Sequence, residues 1–224
     1  WREEDISDIA MHDIKNKPLS ATQRDALFSN RPQAVTDWYD NLIRHGELAV
    51  TEQDQLIISL LSPERLLEMT RLFVIFDKKF GKIVARYQQY FGIKRLIERI
   101  SRTKFGGGRE GGVIWHTTGS GKSFTMVFLS KAVILSDTLK QCRIIVVTDR
   151  VDLENQLSKT FLNGGEFAGK RDRQSAMATS GKRLAAQIGQ GNERIIFSLV
   201  QKFASATRLP DCHNDSSDII VLVD

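Results

Sequence analysis

The chain has 224 residues, of which 41% are apolar and 26% are charged, and its formal net charge is +5. These values are ordinary for a globular protein. The longest purely apolar runs, residues 72–76 and 219–223, have about five residues each and are far too short to span a bilayer. Cys142 and Cys212 fit no metal-binding or disulfide spacing, which indicates a reducing, cytoplasmic setting.

The positive charge is concentrated in one stretch of the chain. Between Lys78 and Arg109 there are ten lysines and arginines but one acid, Glu98, whereas the rest of the chain is slightly acidic. Such a stretch suggests an anionic partner. A solvated helix face explains the same composition, and the sequence leaves both explanations open.

Residues 1–71 are predicted to be helical. Ser62 suits an N-cap and Pro63 the first helical position, where its missing N–H does no harm. No cluster of catalytic residue types stands out here, so we interpret this part as structural or connecting. The chain starts at Trp1 instead of Met and stops at Asp224, directly after a strand-like run, so we expect a piece of a longer protein.

From about residue 72 the pattern changes to one of alternating helices and strands. Apolar residues at helical spacing predict an amphipathic helix over residues 85–101, which the glycines of residues 106–108 end. Continuous apolar runs are typical of strands buried on both faces of a parallel sheet, and their alternation with helices predicts a doubly wound α/β fold. The predicted strands are residues 113–115, 143–147, 194–199 and 219–223, and the predicted helices between them are residues 122–135, 153–161 and 182–188.

Residues 113–126 read VIWHTTGSGKSFTM, a predicted strand, a glycine-rich loop and the start of a helix. Glycines let the backbone curl so that successive N–H groups face one anion, and the helix dipole adds positive potential. Lys122 would reach the β- and γ-phosphates of a nucleoside triphosphate, and the Ser123 hydroxyl would bind Mg²⁺. The general P-loop pattern has glycine where this chain has His116. The alternative is an ordinary turn with a surface lysine.

A second Mg²⁺ ligand is expected at the end of another buried strand. Asp224 closes such an apolar run and is the candidate, although an acid can also end a strand without any further role. In P-loop enzymes a neighbouring glutamate usually positions the attacking water. This chain ends before that position.

Several segments resemble, in the correct order, the motor motifs of the restriction (R) subunit of type I restriction–modification enzymes, a member of the superfamily 2 helicase-like DNA translocases. The segments are ARYQQYFGIKRLIER, GGVIWHTTGSGKSFTM, IIVVTDRVDLENQL, RIIFSLVQKF and DIIVLVD. The resemblance covers residues 62–224, and a histidine at position 116 is itself typical of that family. It implies a RecA-like P-loop NTPase domain with a mostly parallel sheet over residues 72–224, truncated at its C-terminal end, behind a helical tail over residues 1–71.

The resemblance also implies roles for individual residues. Gln88 would read the adenine base, although Gln89 fits that role as well, and Lys122 and Asp224 would be catalytic. The residues expected to bind ATP are Arg86, Gln88, Thr118, Gly119, Ser120, Gly121, Lys122 and Ser123, with Ser123 and Asp224 holding Mg²⁺. The residues expected to contact the DNA backbone are Thr148, Asp149, Arg150, Ser180, Lys182, Ser198 and Lys202. Asp149 and Ser180 could instead only cap the helices that follow them.

The function implied by the resemblance is ATP-dependent translocation along double-stranded DNA, coupled to restriction, with this chain as the first motor lobe. The expected partners are double-stranded DNA and the modification (methyltransferase) and specificity subunits, in the cytoplasm of a bacterium or archaeon. The nuclease domain would precede Trp1 and the second lobe would follow Asp224. We therefore expect the isolated piece to hydrolyse ATP negligibly.

Three alternatives remain open at the level of sequence. A superfamily 2 helicase or remodeller-like translocase without a nuclease would share these motifs. A small-molecule phosphotransferase usually carries its P-loop near the start of the chain, whereas here the loop follows 112 residues. The third alternative is a scaffold that binds nucleotide and never hydrolyses it.

Overall fold

The structure of the protein, a computed structural model, describes residues 1–46, 48–77, 81–117, 119–163 and 170–224. The chain divides into two compact units, Trp1–Leu67 and Glu68–Asp224. The boundary predicted from the sequence, between residues 71 and 72, lies four residues after the one in the structure. The roles assigned to the two parts stay a prediction. Among the described residues, no helix is both long enough and apolar enough to cross a membrane.

The first unit is helical, as predicted. Ser7, Ser20 and Thr51 precede helices, and each side chain accepts a hydrogen bond from the amide three residues further on, which satisfies a donor that the helix leaves unpaired. Pro63 is the first residue of the last helix, and the Leu66 amide donates to the Ser62 carbonyl at 2.9 Å. The helices are α1 Asp8–Asn16, α2 Ala21–Phe28, α3 Gln33–Arg44, α4 Glu52–Leu61 and α5 Pro63–Leu72, which continues into the second unit.

A nearly buried ion pair holds the first unit together. The Arg65 guanidinium donates to both carboxylate oxygens of Glu3, at 2.8 and 3.2 Å, and the Trp1 indole donates to the same carboxylate at 3.2 Å. Burial raises the pKa of Glu3. The hydrogen bonds from Arg65, from the Asp5 amide and from Trp1 lower it by more than burial raises it, so that its pKa is about 2.

The second unit is α/β, which confirms the predicted fold class. It begins with an antiparallel hairpin, in which β1 Val74–Asp77 pairs with β2 Gly81–Val84. This hairpin was not predicted from the sequence. The remaining elements are α6 Tyr87–Ile100, α7 Lys122–Leu135, β3 Arg143–Thr148, α8 Val151–Asn163, α9 Lys170–Ala176, α10 Gly181–Gln190, β4 Ile195–Leu199, α11 Val200–Ala206, a 3₁₀ turn Pro210–Cys212 and β5 Ile219–Val223. The last three strands are parallel and form a sheet in the order β4-β3-β5, with Ile145 of β3 level with Ile196 of β4 and Val221 of β5.

The core lies against the central strand. Ile145 and Val147 point to one face of β3, where they belong to an apolar cluster with Leu184 and Ile188 of α10. On β4, Phe197 meets Phe161 of α8 edge to face, with ring centroids 5.2 Å apart. Helices therefore cover β3 and β4, and the prediction of strands buried on both faces is right for these two.

Two details of the predicted sheet are wrong. Residues 110–117 form no strand, and Val113 and Trp115 are almost fully exposed. A strand exists only as part of a hydrogen-bonded ladder, and no described strand pairs with this segment. In β5 the side chains of Val221 and Val223, two residues apart and therefore on the same face of the strand, are exposed, so β5 is not buried on both faces.

Candidate nucleotide site

The carboxyl ends of the parallel strands and the loop before α7 lie together. Thr148 ends β3, and its neighbour Val147 accepts a hydrogen bond from the Asp224 amide at 3.1 Å. The Lys122 ammonium, at the first position of α7, lies 4.0 Å from the Asp224 carboxylate. In open α/β sheets this edge is where ligands bind. The structure thus brings together the two residues that were predicted to be catalytic.

The loop has the backbone conformation that its glycines permit. Gly119 has φ 78° and Gly121 has φ 89°, both in the left-handed region that other residues rarely adopt. The Ser120 amide and hydroxyl both donate to the Thr117 carbonyl, at 3.2 and 2.6 Å. The Ser120 amide would have to leave that carbonyl before it could face a phosphate. Thr118, also expected to bind ATP, lies outside the described residues.

The charged and polar groups at this edge suit a nucleotide with Mg²⁺. The Lys122 side chain is half exposed and Ser123 follows it in the first turn of α7, where the helix dipole favours an anion. The Asp224 carboxylate and the Ser123 hydroxyl are the hard oxygen ligands that Mg²⁺ prefers. The residues present therefore fit both groups.

A cavity of about 160 Å³ adjoins the site. Lys122 and Asp224 line it together with His116, which occupies the position of the first P-loop glycine. Most of the other lining residues are apolar side chains of α6, α7 and β5. They are Leu96, Met126, Leu129, Val221, Leu222 and Val223.

The structure separates the two glutamines proposed to read adenine. Gln88 and Arg86 are exposed at the start of α6, whereas Gln89 is buried. The Gln89 amide nitrogen donates to the Gly121 carbonyl at 3.1 Å and to the Thr125 hydroxyl at 3.0 Å. Base reading by Gln88 stays a prediction, and the contact of Gln89 with the loop is one that the sequence analysis did not foresee.

The residues expected to contact DNA fall into two groups. Asp149, Arg150 and Lys182 are exposed, and the Arg150 guanidinium lies 3.5 Å from the Asp149 carboxylate. In the others, of which Ser180 is also exposed, the polar atoms have partners elsewhere in the unit. The Thr148 hydroxyl donates to the Arg150 carbonyl at 3.3 Å, the Ser198 hydroxyl to the Leu199 carbonyl at 3.1 Å, Ser180 caps α10, and Lys202 lies 3.5 Å from the buried carboxylate of Glu154.

Comparisons with known proteins agree with this geometry. A family model described as SWI2/SNF2 ATPase matches residues 88–224. The chain is 36% identical over 181 residues to the type I restriction enzyme HindI endonuclease subunit of Haemophilus influenzae, which covers 77% of this chain and 17% of that protein. It is 31% identical over 198 residues to the putative type I restriction enzyme MjaIXP endonuclease subunit of Methanocaldococcus jannaschii, covering 85% of this chain and 18% of the relative.

These relatives confirm the resemblance to type I restriction enzyme subunits, and this chain spans less than a fifth of their length. The matched family model includes the loop, Lys122 and the strand that leads to Asp224. A parallel sheet with its P-loop at the carboxyl edge is the RecA-like arrangement expected of such an ATPase. The family model matches more than half of the residues of the chain, so the chain belongs to the SWI2/SNF2 ATPase family.

Proposed function

We propose that this chain supplies the first ATP-binding lobe of a DNA-translocating motor, as part of the endonuclease subunit of a type I restriction enzyme. The proposal rests on the distance of 4.0 Å between the Lys122 ammonium and the Asp224 carboxylate. Both groups lie at the carboxyl edge of the sheet, next to the loop in which Gly119 and Gly121 have a left-handed backbone. Relatives named as type I restriction endonuclease subunits support the enzyme class.

In this proposal each residue at the edge has a separate task. Lys122 neutralises phosphate charge, and the amides at the start of α7 orient the phosphates. Ser123 and Asp224 hold Mg²⁺, while the exposed Arg86 and Gln88 meet the base. ATP with Mg²⁺ supplies the free energy of each translocation step when it is hydrolysed.

The exposed Arg150 and Lys182 are the proposed contacts to the phosphates of the DNA backbone. Asp149, whose carboxylate lies 3.5 Å from the Arg150 guanidinium, would orient that group, because a carboxylate does not itself bind a phosphate. Groups that bind phosphates fix position without reading sequence, as a motor that moves along any duplex requires. Thr148, Ser180, Ser198 and Lys202 remain weaker candidates, because their polar atoms already have partners in this unit. The proposed protein partners are a modification and a specificity subunit, in a cytoplasmic complex.

The central test is Lys122→Ala in the complete restriction enzyme. We expect DNA-stimulated ATP hydrolysis to be abolished and the circular dichroism spectrum to be unchanged, because the side chain is half exposed and its ion pair with Asp224 is long. The matched control is Lys140→Ala, which removes another exposed lysine from the turn before β3 and should leave the rate unaltered. An unaffected rate in Lys122→Ala would remove Lys122 from the site.

A further inference from the structure

A tight turn between α6 and the phosphate-binding loop holds a phenylalanine in solvent. The relative exposure of Phe105 is 109%, the highest among the large apolar side chains in the described part of the chain. Thr103 and Arg109 form an antiparallel bridge below it, and the Gly107 amide donates to the Lys104 carbonyl at 3.1 Å. Phe105 is therefore the second residue of a four-residue turn. We call residues 103–109 the Phe105 turn.

The conformation of the Phe105 turn is set by its glycines and by its anchor in the sheet. The glycines at positions 106–108 have φ between 75° and 101°, and a positive φ directly after Phe105 is what a type II turn requires. The Arg109 guanidinium donates to the Asp218 carboxylate at 2.8 Å and to the Ser217 carbonyl at 2.9 Å. The ring is thus presented by a fixed backbone, which lowers the entropy cost of binding a ligand there.

The Phe105 turn lies far from the nucleotide site. Asp218, which holds Arg109, comes directly before β5, and Asp224 comes directly after it. The five residues of β5 span roughly 17 Å, so the anchor of the turn and the nucleotide site are at opposite edges of the sheet. Arg150 follows β3 and lies at the same edge as Asp224. A ligand at Phe105 is therefore neither the nucleotide nor the phosphate backbone that Arg150 is proposed to contact.

The residues around the ring are cations and glycines. Phe105 is the only large apolar residue among residues 101–112, and the exposed Lys104 directly precedes it. Glu98 is the only acid among residues 95–104. Three exposed arginines follow one another at helical spacing along the last turns of α6 and just beyond it, Arg95, Arg99 and Arg102, of which the last pairs with Glu98. The surface next to the turn is therefore positive.

These surroundings suit a nucleobase better than a protein partner. An aromatic residue that anchors a protein interface is surrounded by packed contacts that exclude water, and Phe105 has no apolar neighbour in its turn. A nucleobase needs only the flat ring, while cations beside the ring meet the phosphates next to that base. A Cβ atom at any glycine of positions 106–108 would meet nothing within 4 Å, so the space beside the tip is open.

We propose that the Phe105 turn is a second nucleic-acid contact, at which the phenylalanine ring stacks on an unpaired base of a DNA strand. Lys104 and the arginines at the end of α6 bind the phosphates beside that base. The inference goes beyond the proposed function, in which the motor holds a double helix through its phosphates at the other edge of the sheet. The ligand is single-stranded DNA, because the bases of a duplex are already stacked on one another.

The experiment is titration of the complete chain with a short oligothymidylate that carries one fluorescent adenine analogue, whose emission falls when the base stacks. Phe105→Leu keeps an apolar side chain and removes the ring, and should weaken binding by a factor of roughly 5 to 100 and abolish the quenching. Phe105→Tyr keeps the ring and should retain both. The matched control is Phe76→Leu, at an exposed phenylalanine of β1 with the Lys82 ammonium 5.8 Å from its ring centre, which should change neither quantity.

Three further measurements separate stacking from general effects of charge or folding. A closed circular duplex, which has no unpaired ends, should bind Phe105→Leu and the unmodified chain equally. Lys104→Gln should reduce the slope of log affinity for the single strand against log salt by up to about 0.7, the contribution of one phosphate contact. The melting temperature of Phe105→Leu should be unchanged, because the ring is fully exposed.

The result does not depend on the proposed nucleotide site. Lys122→Ala should bind and quench the oligonucleotide like the unmodified chain, so that a failed nucleotide site leaves this inference standing. Unaltered quenching in Phe105→Leu refutes the stacking contact, and an equally large loss in Phe105→Tyr refutes it as well. If both variants bind the strand normally and only Phe105→Tyr impairs assembly of the complete restriction enzyme, the ring docks into an apolar pocket of a protein, and the inference is wrong.

Discussion

At the scale of single residues, the titration of Glu3 couples stability to pH. Its pKa is lowered from 4.5 to about 2, so its contribution is fully present above pH 4.5 and is lost as the pH falls through about 2. We expect Glu3→Gln to lower the free energy of unfolding at pH 7 by about 3 kcal/mol, because the nearly buried Arg65 loses the carboxylate at 2.8 Å and keeps the more distant one of Asp5, at 3.5 Å. The measurement is urea unfolding followed by circular dichroism at several pH values.

The pH dependence of that difference tests the ion pair itself. The stabilities of Glu3→Gln and of the unmodified chain should converge as the pH falls from about 5 towards 2. Asp13→Asn removes the same charge from an exposed carboxylate of α1 and should have a small, nearly constant effect. A loss in Glu3→Gln that is equally large at pH 2 would mean that the hydrogen bonds accepted by Glu3, and not its charge, account for the difference.

The charged groups of the site can be predicted from the sequence better than its polar contacts can. Lys122 and Asp224 follow from a strand–loop–helix pattern and from an acid at the end of an apolar run, and a parallel sheet places both at one edge. The burial of Gln89, which the sequence offered as an alternative reader of the base, could be expected, since it lies four residues before Ile93 on the buried face of α6. The hydrogen bond of the Ser198 hydroxyl could not, because residue type does not reveal that a hydroxyl donates to its own neighbouring carbonyl.

At the scale of elements, prediction succeeded where a pattern is long and local. α7 begins and ends at the predicted residues, between the glycine-rich loop and the polar residues that follow Leu135. α6 lies within the predicted range, because its amphipathic pattern is contained in its own sequence. The predicted strand over residues 113–115 failed, since the existence of a strand depends on partners elsewhere. The β1–β2 hairpin was missed because four-residue strands carry too little pattern to recognise.

Gly92 offers a direct test of helix energetics in α6. It lies in the middle of the helix, its φ is not positive, and a Cβ atom there would meet nothing within 4 Å. Gly92→Ala should therefore raise the free energy of unfolding by about 0.5–1 kcal/mol, mainly because the unfolded chain loses conformational freedom. Thermal unfolding measures the gain.

Gly121→Ala is the matched comparison, because the same change there forces a left-handed backbone and brings a Cβ atom to 3.2 Å from Gln89. It should lower the melting temperature and weaken nucleotide binding. If Gly92→Ala destabilised the chain instead, the helix would have a neighbour at that position that the structure does not contain.

At the scale of the whole molecule, the basic stretch is less uniform than its composition suggested. Arg109 donates to Asp218 at 2.8 Å and to the Ser217 carbonyl at 2.9 Å, which ties the glycine-rich turn to the start of β5. Arg102 pairs with Glu98. Lys78 and Lys79 lie outside the described residues. Part of the positive charge is therefore structural, a distinction that depends on long-range contacts and that composition cannot make.

The exposed cations of this stretch decide whether it contacts DNA. Replacing three of them together, Lys82→Gln, Arg95→Gln and Lys104→Gln, should weaken binding to an arbitrary duplex and reduce the slope of log affinity against log salt by up to about 3, if each contacts one phosphate. Fluorescence anisotropy at a series of salt concentrations gives both quantities. The control replaces three exposed cations outside the stretch, Lys140→Gln, Lys159→Gln and Arg208→Gln, with the same change in net charge. Equal slopes in the two triple variants would show that only net charge matters, and the stretch would then be ordinary solvated surface.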